Sequence, residues 1–442
     1  MTKFIIKGGK KLEGRTQVSG AKNVALKALV AACLTEEEVV IENIPLISDF
    51  SDMTEIIEDL GGEVKFYDHK ISVKMKSFKK TKVSLDKAAA IRTSAMFLAP
   101  LLGRSDEAII PNPGGCRIGA RPIDRIIDGL SKMGVKVRYH SDDGYFYMTR
   151  NKRLEGVTYR FKKNTHTGTE TLILCAVLAN GTTRLENAAE EPEIDELINF
   201  LKAMGAKITK PSPRTVEIEG VARLKGATFK IGPDRNEIVT LAVAAIITQG
   251  DIFIEDVENV DLLGFEEKLL EAGGGFERRK DGIRFYNKGS LKAVDITTSI
   301  YPGFMTDWQG PWAVLMTSAN GKSVIHETIY ESRFGYAKEL KKMGARINLF
   351  NPKVEAPEAF YNFNMEDDRP EFKHAAEIHG PVRLHNAVVS ITDLRAGATL
   401  VLAALAAKGE SVLFEVEHLD RGYESIEKRL RQLGADIERV DE

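Results

Sequence analysis

One turn recurs six times along the chain and restricts what it can fold into. It reads Leu60-Gly61-Gly62-Glu63-Val64, Met133-Gly134-Val135-Lys136-Val137, Met204-Gly205-Ala206-Lys207-Ile208, Ala272-Gly273-Gly274, Met343-Gly344-Ala345-Arg346-Ile347 and Leu433-Gly434-Ala435-Asp436-Ile437. Its first glycines are separated by 73, 71, 68, 71 and 90 residues. Self-similarity at a fixed period marks repeated supersecondary units. Six units of about 70 residues therefore fill the sequence, and the long last step points to an insertion near residues 351–373.

Each turn has the same neighbours. Before it lies a segment with apolar residues at helical spacing, as in Ile194, Leu197, Ile198, Leu201 and Met204. The glycine suits a left-handed helix C-terminus, and a charged, β-branched strand follows. Farther upstream is an almost wholly apolar helix: Val24–Leu34, Ser94–Leu102, Thr171–Leu178, Val239–Ile247, Trp312–Ser318 and Ala398–Ala407. Hydrophobicity on every side of a helix requires burial within a domain. Most of these helices lead through glycine into a short strand such as Asp251–Glu255 or Ser411–Glu415. The chain is thus α/β, and six such units can close into two globular halves of three. The Pro-, Asn-, Asp- and Glu-rich stretch 351–373 is expected to be exposed and partly mobile.

Composition excludes several classes of function. With 62 Lys+Arg against 64 Asp+Glu, the chain lacks the broad basic footprint of a nucleic-acid binder. The longest apolar runs, near Ile238–Ile247 and Leu400–Ala407, fall short of the roughly 18 residues of a membrane span. The opening MTKFIIKGGK returns to lysine and glycine after three apolar residues, so no secretory leader is expected and the protein is placed in the cytoplasm. Cys33, Cys116 and Cys175 have neither disulfide-framework nor metal-site spacing.

Polar residues before the helices carry the functional signal. Asp, Thr and Asn there act as caps. Capping does not account for Lys22, Arg92, Arg121, Arg333, Arg395 and Arg421, because a cation at a helix N-terminus opposes the helix dipole unless an anion lies between them. Six such cations point to a multi-anionic ligand held at helix starts. Pro122 and Pro192 fit the first helical turn.

The loop Pro111–Pro122 adds a second signal. Two internal prolines and glycines make an irregular, exposed backbone around Cys116, which stands beside Arg117 and reads as accessible and reactive, unlike Cys33 and Cys175 inside apolar helices. Asp307, at a helix start, reads as a general base or an ion-pair partner. His166 sits on a helix-start loop within reach of a phosphate. His374, His379 and His385 lie in or near the insertion, where no metal site is expected, and no metal or organic cofactor is called for.

The strings Ser19-Gly20-Ala21-Lys22-Asn23, Pro113–Pro122, Glu186–Ala189 with Glu191–Ile194, Pro233-Asp234-Arg235, Thr306-Asp307, Thr392–Arg395 and Asp420–Tyr423 resemble the UDP-N-acetylglucosamine 1-carboxyvinyltransferases of the enolpyruvyl transferase superfamily, in order and over essentially the whole chain. The resemblance implies a two-domain inside-out α/β barrel, residues 22–234 forming one domain and 1–21 with 235–442 the other. It implies phosphoenolpyruvate and UDP-N-acetylglucosamine as substrates, the first committed step of peptidoglycan synthesis, and closure of the cysteine loop over the ligands. Lys22, Arg121 and Arg421 would hold phosphate, Arg333 and Arg395 carboxylate, with Asn23 beside them. Asp307 would take the acceptor hydroxyl proton, and Cys116 would protonate the substrate's C3 and react with the epoxide fosfomycin. Asn23, Arg92, Arg121, Pro122, Ile123, Asp124, Arg125, Asn164, Thr165, His166, Thr167, Asp307 and Ile329 would contact the nucleotide sugar.

The departures fall on the acceptor side. Where the family has a Lys and a Ser-Val-Gly-Ala-Thr-like loop, this chain has Asn164–Glu170; His166, Lys162 and Lys163 are the cations left to supply the missing charge. Arg125-Ile126 replaces Leu-His, and Met96 replaces an aromatic. A paralogous transferase with another nucleotide acceptor therefore stays open, as does a non-catalytic sensor, although a binder needs neither Cys116 nor Asp307. A shikimate-phosphate acceptor fits less well, because the cysteine loop belongs to the nucleotide-sugar branch.

Overall fold

The computed structural model describes residues 2–88, 91–113, 119–120 and 122–441. They make two compact units: residues 20–88, 91–113 and 122–232, and residues 2–19, 119–120 and 233–441. Among the described residues the strands form six sheets, three in each unit. Each unit is an inside-out α/β barrel, with apolar helices at its centre and sheets around them.

The repeated glycine explains the regularity. Gly61, Gly134, Gly205, Gly273, Gly344 and Gly434 all adopt φ between 88° and 106°. After each, the next N–H turns back to the helix: Gly62 to Ile57, Val135 to Leu130, Ala206 to Leu201, Gly274 to Leu269, Ala345 to Leu340 and Ala435 to Leu430. This closure satisfies carbonyls that the helix end leaves unpaired, and it turns the chain into its next strand.

In the first unit, the central helices are Lys22–Ala32, Leu98–Arg104 and His166–Ala176. Amphipathic helices Ser48–Asp59, Asp124–Lys132 and Pro192–Ala203 accompany them. In the second unit, the central helices are Arg235–Ile247, Gln309–Thr317 and Leu394–Ala406. The N-terminal strand Thr2–Lys7 pairs antiparallel with Glu410–Phe414 and Asp436–Asp441, and Glu13–Thr16 runs parallel to Asp251–Glu255. The chain's beginning is thus built into the second unit's sheets.

The structure corrects three expectations. The central helices start before their apolar runs, so Lys22, His166, Arg235 and Arg395 lie inside the first turn rather than ahead of it. Pro122 precedes the helix Asp124–Lys132, for which Ile123 is the cap position, whereas Pro192 does occupy a first turn. The insertion is anchored as well as exposed. Tyr361 and Phe363 are buried and stack at 4.9 Å, both against the His374 ring, and the Asn362 N–H donates to the Thr328 carbonyl at 2.7 Å. Two aromatic side chains outweigh the polar composition around them.

Candidate active site

The second unit gathers two of the expected arginines on the carboxylate of a third expected residue, Asp307. Asp307 lies on the 3-10 turn Thr306–Trp308, which runs into the helix Gln309–Thr317. The turn is anchored by Trp308, 2% exposed, packed edge-on to Phe265 and Phe304 and donating its indole N–H to Asn236 Oδ1 at 3.1 Å. One Asp307 oxygen is 2.5 Å from Arg333 Nη2, and the other is 3.3 Å from Arg395 Nη2. Arg395 also donates to the Tyr423 hydroxyl at 3.2 Å, and that hydroxyl lies 2.9 Å from Thr240 Oγ1. Asp393 caps the helix of Arg395 by accepting the N–H groups of Arg395 and Ala396. Burial alone would lower the pKa of both guanidiniums; Asp307, together with Asp393 and Glu327 at Arg333 and with Tyr423 and Asp234 at Arg395, holds both raised. Two planar cations around one carboxylate make a site suited to a carboxylate or phosphate.

Two further second-unit positions complete the set. Ile329 follows the strand Gly321–His326 and is half-buried, and Arg421 closes the short helix Glu417–Asp420. The backbone N–H of Ala120 donates to Glu331 Oε1 at 3.1 Å. Cys116, Arg117 and Arg121 lie outside the described residues.

The first unit carries Lys22, expected to hold phosphate, and most of the residues expected on the acceptor side. Lys22 Nζ is 2.7 Å from Asp49, both side chains being buried; Asn23 follows it in the helix. Arg92 donates to the Pro122 carbonyl at 3.2 Å, and Arg125 to the Asn164 carbonyl at 3.3 Å. The Asn164 amide donates to the carbonyls of Asn187 and Ala188, and Thr165 caps the helix whose first residues are His166 and Thr167. The expected segments 122–125 and 164–167 are therefore adjacent.

The cations expected to wait for a ligand already have anions. Lys22 faces Asp49, and Arg333 and Arg395 face Asp307. The protein's own carboxylates answer part of the argument that only a bound ligand explains these charges.

Sequence reasoning missed a buried ionic cluster in the first unit. Glu170 lies 3.2 Å from Lys27 Nζ and 3.2 Å from His166 Nε2, the latter an ion pair too poorly aimed for a hydrogen bond. Burial would lower the His166 pKa, but Glu170 and Glu191 push it up to about 9. The available signal was a lone charge inside an apolar helix: Lys27 among Val24–Ala32, and Glu170 at the head of Thr171–Leu178. The three insertion-side histidines have separate partners: His374 with Asp368, His379 with Glu377 and His385 with a backbone carbonyl. Cys33 and Cys175 are buried free thiols whose pKa burial pushes up.

A family model described as EPSP synthase (3-phosphoshikimate 1-carboxyvinyltransferase) matches residues 6–430. The chain belongs to the EPSP synthase family of enolpyruvyl transferases. Among its relatives, the UDP-N-acetylglucosamine 1-carboxyvinyltransferase of Koribacter versatilis is 40% identical over 100% of this chain and 97% of its own length. The enzyme named UDP-N-acetylglucosamine 1-carboxyvinyltransferase 3 in Caldanaerobacter subterraneus subsp. tengcongensis is 41% identical over the full length of both. Solved enolpyruvyl transferase structures superpose as well. NikO from Streptomyces tendae is 26% identical with a TM-score of 0.85 over 99% of each chain, and EPSP synthase from Acinetobacter baumannii shares the fold at 17% identity and a TM-score of 0.73.

Proposed function

We propose that this enolpyruvyl transferase moves the enolpyruvyl group of phosphoenolpyruvate to the 3-hydroxyl of UDP-N-acetylglucosamine and releases phosphate. The observation that carries this reading is full-length identity of about 40% to relatives that bear that activity in their names. The pairing of Asp307 with Arg333 and Arg395 supports it chemically. Arg333 and Arg395 hold the carboxylate of phosphoenolpyruvate; Lys22, Arg121 and Arg421 hold its phosphate. Asp307 removes the acceptor hydroxyl proton as the oxygen attacks C2, and the Cys116 thiol protonates C3. The resulting tetrahedral phospho-ketal loses phosphate and a C3 proton to regenerate the enol ether. Fixed cations stabilise the charge as it shifts between these states. Asn23, Arg92, the segment 122–125, residues 164–167 and Ile329 form the nucleotide-sugar side. The enzyme works in the cytoplasm at the entry to peptidoglycan synthesis; among the described residues no helix is long and apolar enough to cross a membrane.

A second reading keeps the reaction and changes the acceptor to another nucleotide. The Lys27–Glu170–His166 cluster beside the acceptor loop favours it. Phosphate release from phosphoenolpyruvate with UDP-N-acetylglucosamine, then with a nucleotide panel, separates the two. Cys116→Ser should lose most turnover and resist fosfomycin, and unchanged sensitivity would remove the thiol from the mechanism.

A further inference from the structure

Glu327 is 0% exposed, and its carboxylate has four donors. Oε2 accepts from Thr306 Oγ1 at 2.8 Å and from Gln309 Nε2 at 3.1 Å; Oε1 accepts the N–H groups of Ile329 at 2.7 Å and Tyr330 at 3.1 Å. The partners fall into two groups. Thr306 and Gln309 flank Asp307 within one turn, whereas Ile329 and Tyr330 open the loop that leads to Arg333. A single side chain therefore ties the segment carrying Asp307 to the segment carrying Arg333. Those segments lie about twenty residues apart, and the Asp307–Arg333 ion pair joins them as well.

A buried carboxylate is costly to stability, and an apolar side chain of the same size often packs as well or better. Burial indeed raises the Glu327 pKa, opposed by the Arg333 charge and the donors at Ile329, Thr306 and Tyr330. All four donors belong to segments that present site residues, and the Gln309 amide is held in turn, its oxygen accepting from the Tyr336 hydroxyl at 2.6 Å. The Glu327 backbone N–H donates to the His374 carbonyl at 2.7 Å, which fixes the carboxylate's own origin.

We propose that Glu327 is a positioning residue for catalysis: by clamping the backbone on either side of Asp307 to the Arg333 loop, it sets the geometry in which Asp307 meets the two guanidiniums and the acceptor hydroxyl. The proposal rests on the transferase reading only in taking Asp307 and Arg333 as groups that touch the substrates.

The test compares wild type, E327Q and T306V by steady-state phosphate release and by thermal unfolding. In E327Q one oxygen becomes an NH2 that still finds Thr306 Oγ1 as an acceptor but faces donors elsewhere, so the fold survives while the clamp loosens. The expected result is a kcat per folded enzyme reduced about 10- to 100-fold, with the acceptor KM within about threefold of wild type, in a variant whose thermal unfolding lies well above the assay temperature, so that loss of folded enzyme does not account for the fall. T306V removes one donor and leaves the carboxylate, and should lower kcat in the same direction by a smaller factor. The double variant should fall short of the product of the two single effects, because both act on one contact. E327Q that is folded and turns over within about twofold of wild type, or a fully multiplicative double variant, overturns the proposal. Should E327Q fail to fold, T306V decides: an unchanged kcat overturns it. A wrong acceptor assignment shows itself separately, as wild type inactive with UDP-N-acetylglucosamine but active with another nucleotide; the variants are then compared with that acceptor. Wild type inactive with every acceptor overturns both readings.

Discussion

Asp307 and Arg333 form an ion pair of 2.5 Å, and the Arg333 side chain is almost entirely buried. With Arg395 on its other oxygen, Asp307 fills the anion position of both guanidiniums. In the proposed mechanism an arriving substrate carboxylate would share or take over these contacts, and the released Asp307 would then be free to accept a proton. Ligand binding would thereby be coupled to the arming of the base through the same two arginines.

Asp307→Asn removes the proposed base and the charge that pairs with both arginines while preserving shape. Turnover should fall by about 100-fold or more, the usual range for loss of a general base. Phosphoenolpyruvate affinity measured by calorimetry should hold or tighten. Turnover within tenfold of wild type would remove Asp307 from proton transfer.

Arg395→Ala takes away one guanidinium and leaves Asp307 and the Tyr423 hydroxyl with one partner fewer. The KM for phosphoenolpyruvate should rise about 10- to 100-fold, with the nucleotide-sugar KM changed by less than about threefold. Equal loss on both substrates would undo the assignment of this residue to the small anion.

His166 predicts a pH dependence of stability. Its pKa stands near 9 in the folded chain because Glu170 and Glu191 outweigh both burial and Lys27, against about 6.5 when unfolded. The protonated form is favoured by folding, so its contribution is complete below pH 6.5 and is lost as pH rises through 9. Stability to denaturant should drop between those values by on the order of 1–3 kcal/mol, and His166→Gln should flatten the slope. A wild-type slope that His166→Gln leaves intact would assign the dependence to other groups.

The recurring turn predicts its own cost. A Cβ on Gly205 would meet no atom within 4 Å, yet the residue stands at φ 97°. Gly205→Ala should therefore destabilise the first unit by about 1–2 kcal/mol through backbone strain alone, seen as a lower urea midpoint with unchanged turnover. No loss of stability would mean that the turn tolerates a side chain and that the repeat has another cause.

What the chain revealed before folding depended on the range of the interaction. The six glycine turns and the apolar helices are local, set by one left-handed residue or by burial on all sides, and they read directly. The helix starts are hidden because Lys22, His166 and Arg395 are charges inside first turns, each paired with a carboxylate: Lys22 and Arg395 with the distant Asp49 and Asp307, and His166 with Glu170 one turn along its own helix. Partners 26 and 88 residues apart, as Arg333 and Arg395 are from Asp307, leave no trace in spacing. Glu327 was invisible for the same reason, since nothing around His326-Glu327-Thr328 signals that all four of its donors lie on site segments. Tyr361 and Phe363 were hidden by the polar residues around them, although two aromatics suffice to anchor a loop.

The most direct measurement is phosphate release from phosphoenolpyruvate by the purified full chain supplied with UDP-N-acetylglucosamine, with Asp307→Asn assayed alongside. The account predicts one phosphate and one enolpyruvyl nucleotide sugar per turnover in wild type, and near-abolition in the variant. Binding of both substrates by a folded wild-type protein that releases no phosphate would contradict it.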